Sequence, residues 1–187
     1  MSALSPIAYL IVGIEIGFWV LVISGLAVRY VLNRPRLSAL LLAMTLVLDS
    51  ILLVVTTRDV LVNGATPTLA HGIAAFYLSV SVTFGKRIVR WADERFQYYV
   101  LKRGPRPRQL YGYEHARYNF SGSMLYLLAY LLGGGYLGLL IYLIGDLGRS
   151  VALLRVLGFW TVSLVIDMAI SVSYFIWPRR PESEAAD

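Results

Sequence analysis

Residues 123–144 read SMLYLLAYLLGGGYLGLLIYLI, without a single charged side chain. A run of this length matches one crossing of a bilayer, whose hydrocarbon core of ~30 Å needs about 20 helical residues. Working outward, comparable apolar runs occupy 7–30, 38–57, 68–85 and 153–177. Only 15% of the chain is charged, against ~25% in an ordinary soluble domain. The expected fold is therefore all-α, a polytopic membrane bundle of five transmembrane helices over residues 1–178. A disordered tail is expected over 179–187, where the composition turns small and acidic. The first run is not read as a cleaved signal peptide, because no basic segment precedes it and it exceeds the usual apolar region of one.

The stretch 86–120 does not span. Its apolar residues Ile88, Val89, Ala92, Phe96, Tyr99 and Val100 recur at helical spacing among charged ones, which reads as an amphipathic helix continuing from the third span. Gly104-Pro105-Arg106-Pro107 breaks it.

Five spans impose an alternation that the charges test. With the N-terminus outside and the C-terminus inside, the cytoplasmic side collects Arg29, Arg34, Arg36 and the basic stretch from Lys86 to Arg117, together with Arg179 and Arg180. The outside keeps Arg58, Arg149 and Arg155. This is the asymmetry of the positive-inside rule, so the formal charge of +6 is a record of topology, and no nucleic-acid partner is expected. Arg87, Arg90, Arg95, Lys102 and Arg103, interleaved with Trp91, Phe96, Tyr98 and Tyr99, suit contact with anionic lipid at the headgroup level.

Ionisable groups inside hydrocarbon cost ~2.5–3.5 kcal/mol each on insertion scales, so each needs a partner, a cavity or a proton. Glu15, Asp49 and Asp167 are such groups, on the first, second and fifth spans. At ~1.5 Å per residue all three fall near the midplane, which makes their convergence an expectation. Thr45, Asp49 and Thr56 share one face of the second helix, and Trp160, Ser163, Asp167, Ser171 and Tyr174 share one face of the fifth. No lysine or arginine lies at that depth. Protonation is the cheapest neutralisation, because loss of water and like-charge repulsion both favour the neutral acid; a hard metal cation is the alternative. The bland reading is that each acid is protonated and bonds a neighbouring helix.

His71 lies about one turn inside the third span, with Asp59 in the preceding loop; beside a neighbouring carboxylate it would titrate near neutrality and gate entry to the acids. The absence of cysteine excludes disulfides, thiolate metal sites and iron–sulfur clusters. Without an intramembrane histidine pair, no haem is expected. Gly13 and Gly17, and Gly134 and Gly138, are small-xxx-small pairs that let helix backbones approach. A thin five-span bundle with such pairs suits a homodimer or membership of a larger membrane complex.

The run Gly13-Ile14-Glu15-Ile16-Gly17-Phe18-Trp19, with Ala92-Asp93-Glu94-Arg95-Phe96, resembles segments of small bacterial multi-pass membrane proteins that are uncharacterised. The resemblance implies a multi-pass protein of the bacterial inner (plasma) membrane and carries no functional residues. The functional expectation is a proton- or cation-coupled transporter, not an enzyme, with Glu15, Asp49 and Asp167 as its ion site. A non-catalytic subunit or scaffold docking proteins or anionic lipid is the alternative. A third reading, an intramembrane lipid-processing enzyme, is weakened by the scarcity of histidine for acid–base work.

Overall fold

The computed structural model describes residues 6–99, 102 and 110–177, with side chains from Val12 onward. Within the described residues the chain forms α1 (Pro6–Tyr30), α2 (Pro35–Val62), α3 (Leu69–Tyr99), α4 (Gly112–Ile144) and α5 (Val151–Ile176), and no strand. All five are long and apolar enough to cross a membrane. Arg103, the Gly104–Pro107 break, Arg179, Arg180 and the 179–187 tail lie outside the described residues.

In a bilayer every backbone N–H and C=O must be satisfied within its own segment, which selects helix for each apolar run. The ends follow local chemistry. Pro35 opens α2, where its missing N–H is no loss. Gly145, with φ 68°, closes α4 in the left-handed region and donates its N–H to the Ile141 carbonyl, a role that suits the residue without a Cβ. Thr68 N–H donates to Nδ1 of His71 (3.2 Å) at the start of α3. Two helices run past the limits that hydropathy suggests. The third span and the amphipathic stretch are a single helix of 31 residues. The fourth begins at Gly112, well before the apolar run at 123, and has 33 residues. At ~1.5 Å per residue these are about 46 and 50 Å long, against ~30 Å of hydrocarbon. Nothing in 86–99 or 112–122 breaks the backbone ladder, so helix continues where apolarity stops. The overhanging ends of α3 and α4 lie on the same side of the bundle, the side of Tyr99 and Gly112.

Packing divides the molecule in two. α3, α4 and α5 all pack on one another, whereas α1 and α2 form a hairpin that reaches the rest mainly through α2 against α3; α5 approaches neither α1 nor α2. The trio is close because its contact faces are small. Gly72, Ala75 and Ser79 are the buried residues of α3, and Ala129, Gly133 and Gly134 are buried on α4. A Cβ at Gly133 would stand 2.5 Å from Cη2 of Trp160, and one at Gly72 would stand 2.7 Å from Cγ2 of Val156. Ala75, Leu137, Leu140 and Leu153 form the core at the opposite end from Tyr99 and Gly112. The hairpin instead uses a seven-to-eight-residue repeat of buried positions on α2, Ser38, Thr45, Leu53 and Val60. Its free end is tied to the overhang of α3 by the Arg29–Asp93 ion pair, with Nε of Arg29 donating to Oδ1 at 2.7 Å. Tyr30 packs on Phe96, ring centres 4.0 Å apart. At the other end, Arg149 donates to the carbonyls of Val60 and Ala65 (3.4 and 3.0 Å), joining the two loops. Large apolar side chains cover the outside, among them Trp19 (62% exposed), Val165 (62%) and Tyr142 (81%), an arrangement suited to lipid rather than water.

Candidate functional site

The polar face of α5 turns into the trio, and there it meets a polar face of α4. Asn119, Ser123 and Tyr126 are spaced by four and three, hence on one side of α4. Tyr126 donates its hydroxyl to Oγ of Ser163 (3.0 Å), and Tyr130 meets Oγ1 of Thr161 at 2.7 Å. These bonds set the register between the antiparallel helices α4 and α5.

Two cavities lie along this seam. The first, about 430 Å³, is on the side of Tyr99 and Gly112 and is lined by Phe84 and Arg87 of α3, Asn119, Gly122, Ser123 and Tyr126 of α4, and Asp167, Ile170, Ser171 and Tyr174 of α5. The second, about 480 Å³, lies toward the other end among Leu69, Ile73, Phe76, Tyr126, Arg155, Val156, Phe159, Trp160 and Ser163. Tyr126 borders both, so the Tyr126–Ser163 bond marks the boundary. Trp160 lies nearby against Gly133, edge-on to Phe76 and Tyr130.

The first cavity is chemically unbalanced. Oδ2 of Asp167 and Oγ of Ser171 are buried with no hydrogen-bond partner. Leaving a buried polar atom unpaired costs about 1–3 kcal/mol, more for a charge. Arg87 donates through Nε to the Tyr118 hydroxyl (3.3 Å) and through Nη2 to the Tyr118 carbonyl (3.1 Å), and its guanidinium lies 4.0 Å from the centre of the Tyr118 ring. None of these contacts supplies a negative charge. Among the described residues the ion pair is Arg29–Asp93, so Arg87 and Asp167 share a cavity unpaired. At the rim, Asn119 donates to Nδ1 of His115 (2.8 Å), whose ring lies 4.9 Å from that of Tyr174.

The three acids expected to converge are not brought together. Glu15 is exposed on α1, Asp49 is half-buried on α2 with Oδ2 unpartnered, and Asp167 is on a helix that approaches neither. Among the described residues no three carboxylates or imidazoles are grouped to hold a metal. Similar depth gave no proximity, because the small-residue faces direct α5 to α3 and α4. Of the auxiliary residues, Ser163, Ser171 and Tyr174 line the cavities. Thr45 donates to the Leu42 carbonyl of its own helix, and His71 serves the start of α3. Among the basic residues expected at lipid, Arg90, Arg95 and Lys102 are exposed, with Arg95 4.4 Å over the Trp91 ring. Arg87 departs from that group and turns inward. Asn119, Ser123 and Tyr126 were missed by the sequence reading, although their spacing of four and three is the signal of one polar face.

No protein-family model matches this chain, and no solved structure matches it. Among curated proteins it is similar to the "Uncharacterized membrane protein YmcC" of Bacillus subtilis (strain 168), with 48% identity over 182 residues, 97% of this chain and 98% of the relative. Five membrane-length helices and an end-to-end likeness at that identity make one statement together: the chain belongs to the family of small bacterial multi-pass membrane proteins that includes YmcC.

Proposed function

We propose that this protein is a proton- or cation-coupled transporter of the plasma membrane, working through the α3–α4–α5 trio, with Asp167 as the coupling acid. The observation that carries the reading is the unpartnered Asp167 carboxylate in a polar cavity. An acid in that position is open to a cation or proton as the cavity changes its access to water, since an ionisable group at membrane depth needs a partner, a cavity or a proton. The second cavity, beyond the Tyr126–Ser163 boundary, provides the opposite vestibule. Alternating access then needs only a small movement of α5 against α4.

The proposed orientation has the N-terminus outside and the C-terminus in the cytoplasm. Arg29, Arg34, Arg36 and Lys86 to Arg95 gather at one end of the bundle and Arg58, Arg149 and Arg155 at the other, a distribution favouring the first end as cytoplasmic. The Asp167 cavity then faces the cytoplasm. The exposed Arg90, Arg95 and Trp91 on the overhang favour contact with anionic lipid.

The test is flux in liposomes with an internal pH-sensitive dye across a panel of cations and small organic ions. Asp167→Asn is expected to abolish flux while remaining folded, and Glu15→Gln to retain it. Loss of flux in Glu15→Gln alone, with Asp167→Asn active, would overturn the assignment. A wild type inert toward the whole panel, with Asp167→Asn merely less stable, would favour a scaffold.

A further inference from the structure

We infer that the Asp167 cavity takes a small zwitterion of the amino-acid type, its carboxylate held by Arg87 and its ammonium by Asp167. This deepens the transport reading and rests on it for the passage across the membrane, though not for binding.

The argument starts from register. Tyr126 and Ser163 are hydrogen-bonded and therefore level. Four residues toward the end at which α4 begins, about 6 Å along each axis, bring Gly122 on α4 level with Asp167 on α5. Arg87 reaches this depth from α3, for a Cβ at Gly122 would stand 3.1 Å from Nη1 of Arg87. The two opposite charges thus sit at one depth on different walls of one cavity. Tyr118 occupies Nε and Nη2 of the guanidinium and lies against its face, which holds Arg87 to its wall. Nη1 has no hydrogen-bond partner among the described residues and lies toward Gly122.

A ligand bearing one charge would balance one wall and leave the other uncompensated in a partly dry site, where an unpaired charge is costly. A zwitterion balances both. It also makes a charge-assisted hydrogen bond at each end, about twice as strong as a neutral one. Between the poles, Asn119 and Ser123 offer hydrogen bonds to the ligand's backbone or a polar substituent, and Ser171 has a buried hydroxyl with no partner. The volume of about 430 Å³ falls within the ~300–1,000 Å³ range of small-molecule sites.

Calorimetric titration of the purified protein tests this with glycine, β-alanine, 4-aminobutyrate and 6-aminohexanoate, each set against the carboxylic acid and the amine of matched length. One zwitterion of the series is expected to bind about tenfold or more tighter than its two matched partners, the worth of one charge-assisted hydrogen bond. Arg87→Gln should lose that advantage and retain the amine; Asp167→Asn should lose it and retain the acid; Arg87→Lys should keep a substantial part of it. Thermal unfolding of each variant separates lost binding from lost fold. Acid or amine binding as tightly as the zwitterion, or undiminished zwitterion binding in both neutral variants, overturns the assignment. The two readings fail separately. Zwitterion binding without flux in liposomes removes transport and leaves the site, whereas Asp167-dependent cation flux without zwitterion binding removes the ligand class and leaves the coupling acid.

Discussion

The α1–α2 hairpin and the α3–α4–α5 trio carry polar residues at similar spacing, and their surroundings differ. On α2, Thr45, Ser50, Thr56 and Thr57 all donate to carbonyls three or four residues back in their own helix. Such back-bonding satisfies a hydroxyl in hydrocarbon without a neighbouring helix. One of them, Thr57, also meets Tyr136 of α4. On α5, Ser163 meets Tyr126 across the helix boundary, while Asp167 and Ser171 keep unpartnered buried atoms in a cavity. A polar stripe is therefore no sign of a site by itself. Oδ2 of Asp49 and Oγ of Ser38 on α2 are unpartnered too, and Thr161 and Ser173 of α5 bond back along their own helix; what sets the trio apart is that its unpartnered Asp167 and Ser171 line one cavity.

The strongest way to break the comparison is to remove the close approach. Gly133→Ala would force Trp160 and Ser79 aside, an overpacking cost of about 1–3 kcal/mol; Gly133→Val should cost more. In thermal or denaturant unfolding in detergent, Gly13→Ala and Gly138→Ala, where a Cβ meets nothing within 4 Å, should leave stability unchanged. Equal losses at Gly13 and Gly133 would show that the trio is no more tightly packed than the hairpin.

Next in size is the tie between the regions. Arg29→Ala removes a charged pair whose arginine side chain is only 9% exposed. Hydrogen bonds to charged groups are worth about 1.5–3 kcal/mol, reduced here because Asp93 is 32% exposed and retains water. The expected loss is about 1–2 kcal/mol, concentrated in the hairpin, with faster amide exchange in α1 and little change in α5. Uniform exchange across all five helices would instead mean that the molecule opens as one unit.

The smallest effects sharpen the contrast at single hydroxyls. Thr45→Val should change stability by less than about 0.5 kcal/mol, since only a local back-bond is lost. Ser163→Ala removes a bond between helices, worth ~0.6 kcal/mol on average in membranes, and should also alter flux, read in the same liposome assay. A Thr45 variant that disturbs flux as much as the Ser163 one would contradict the division drawn between the two regions.

The spans were legible in sequence because bilayer thickness acts on local runs of residues, and each run stands alone. Helix pairing is different in kind. Glu15, Asp49 and Asp167 were placed at similar depth by counting, but contact also requires rotation about each axis and a choice of neighbour. Those depend on where Gly72, Gly133 and Trp160 permit approach. Arg87 was read as lipid-facing because cations at the end of a span usually reach for headgroups. Its inward turn needs both the space left at Gly122 and the Tyr118 clasp, two features 31 and 35 residues away in the chain. Residues 86–99 were read as a helix continuing from the third span, as the 31-residue α3 is, whereas the start of α4 at Gly112 was not legible, because hydropathy falls over 112–122 and does not report an unbroken backbone.

Tyr126, which borders both cavities, sets a timescale as well as a boundary. A hydrogen bond worth ~0.6 kcal/mol biases an equilibrium by only about threefold at room temperature. The Tyr126–Ser163 contact is thus a light latch, which thermal motion breaks and remakes freely. If the seam between α4 and α5 is the moving part, the bulk of Trp160 and of the tyrosine ring governs how fast it parts. Occupancy of the cavity, rather than the latch, would then decide which side stays open longer.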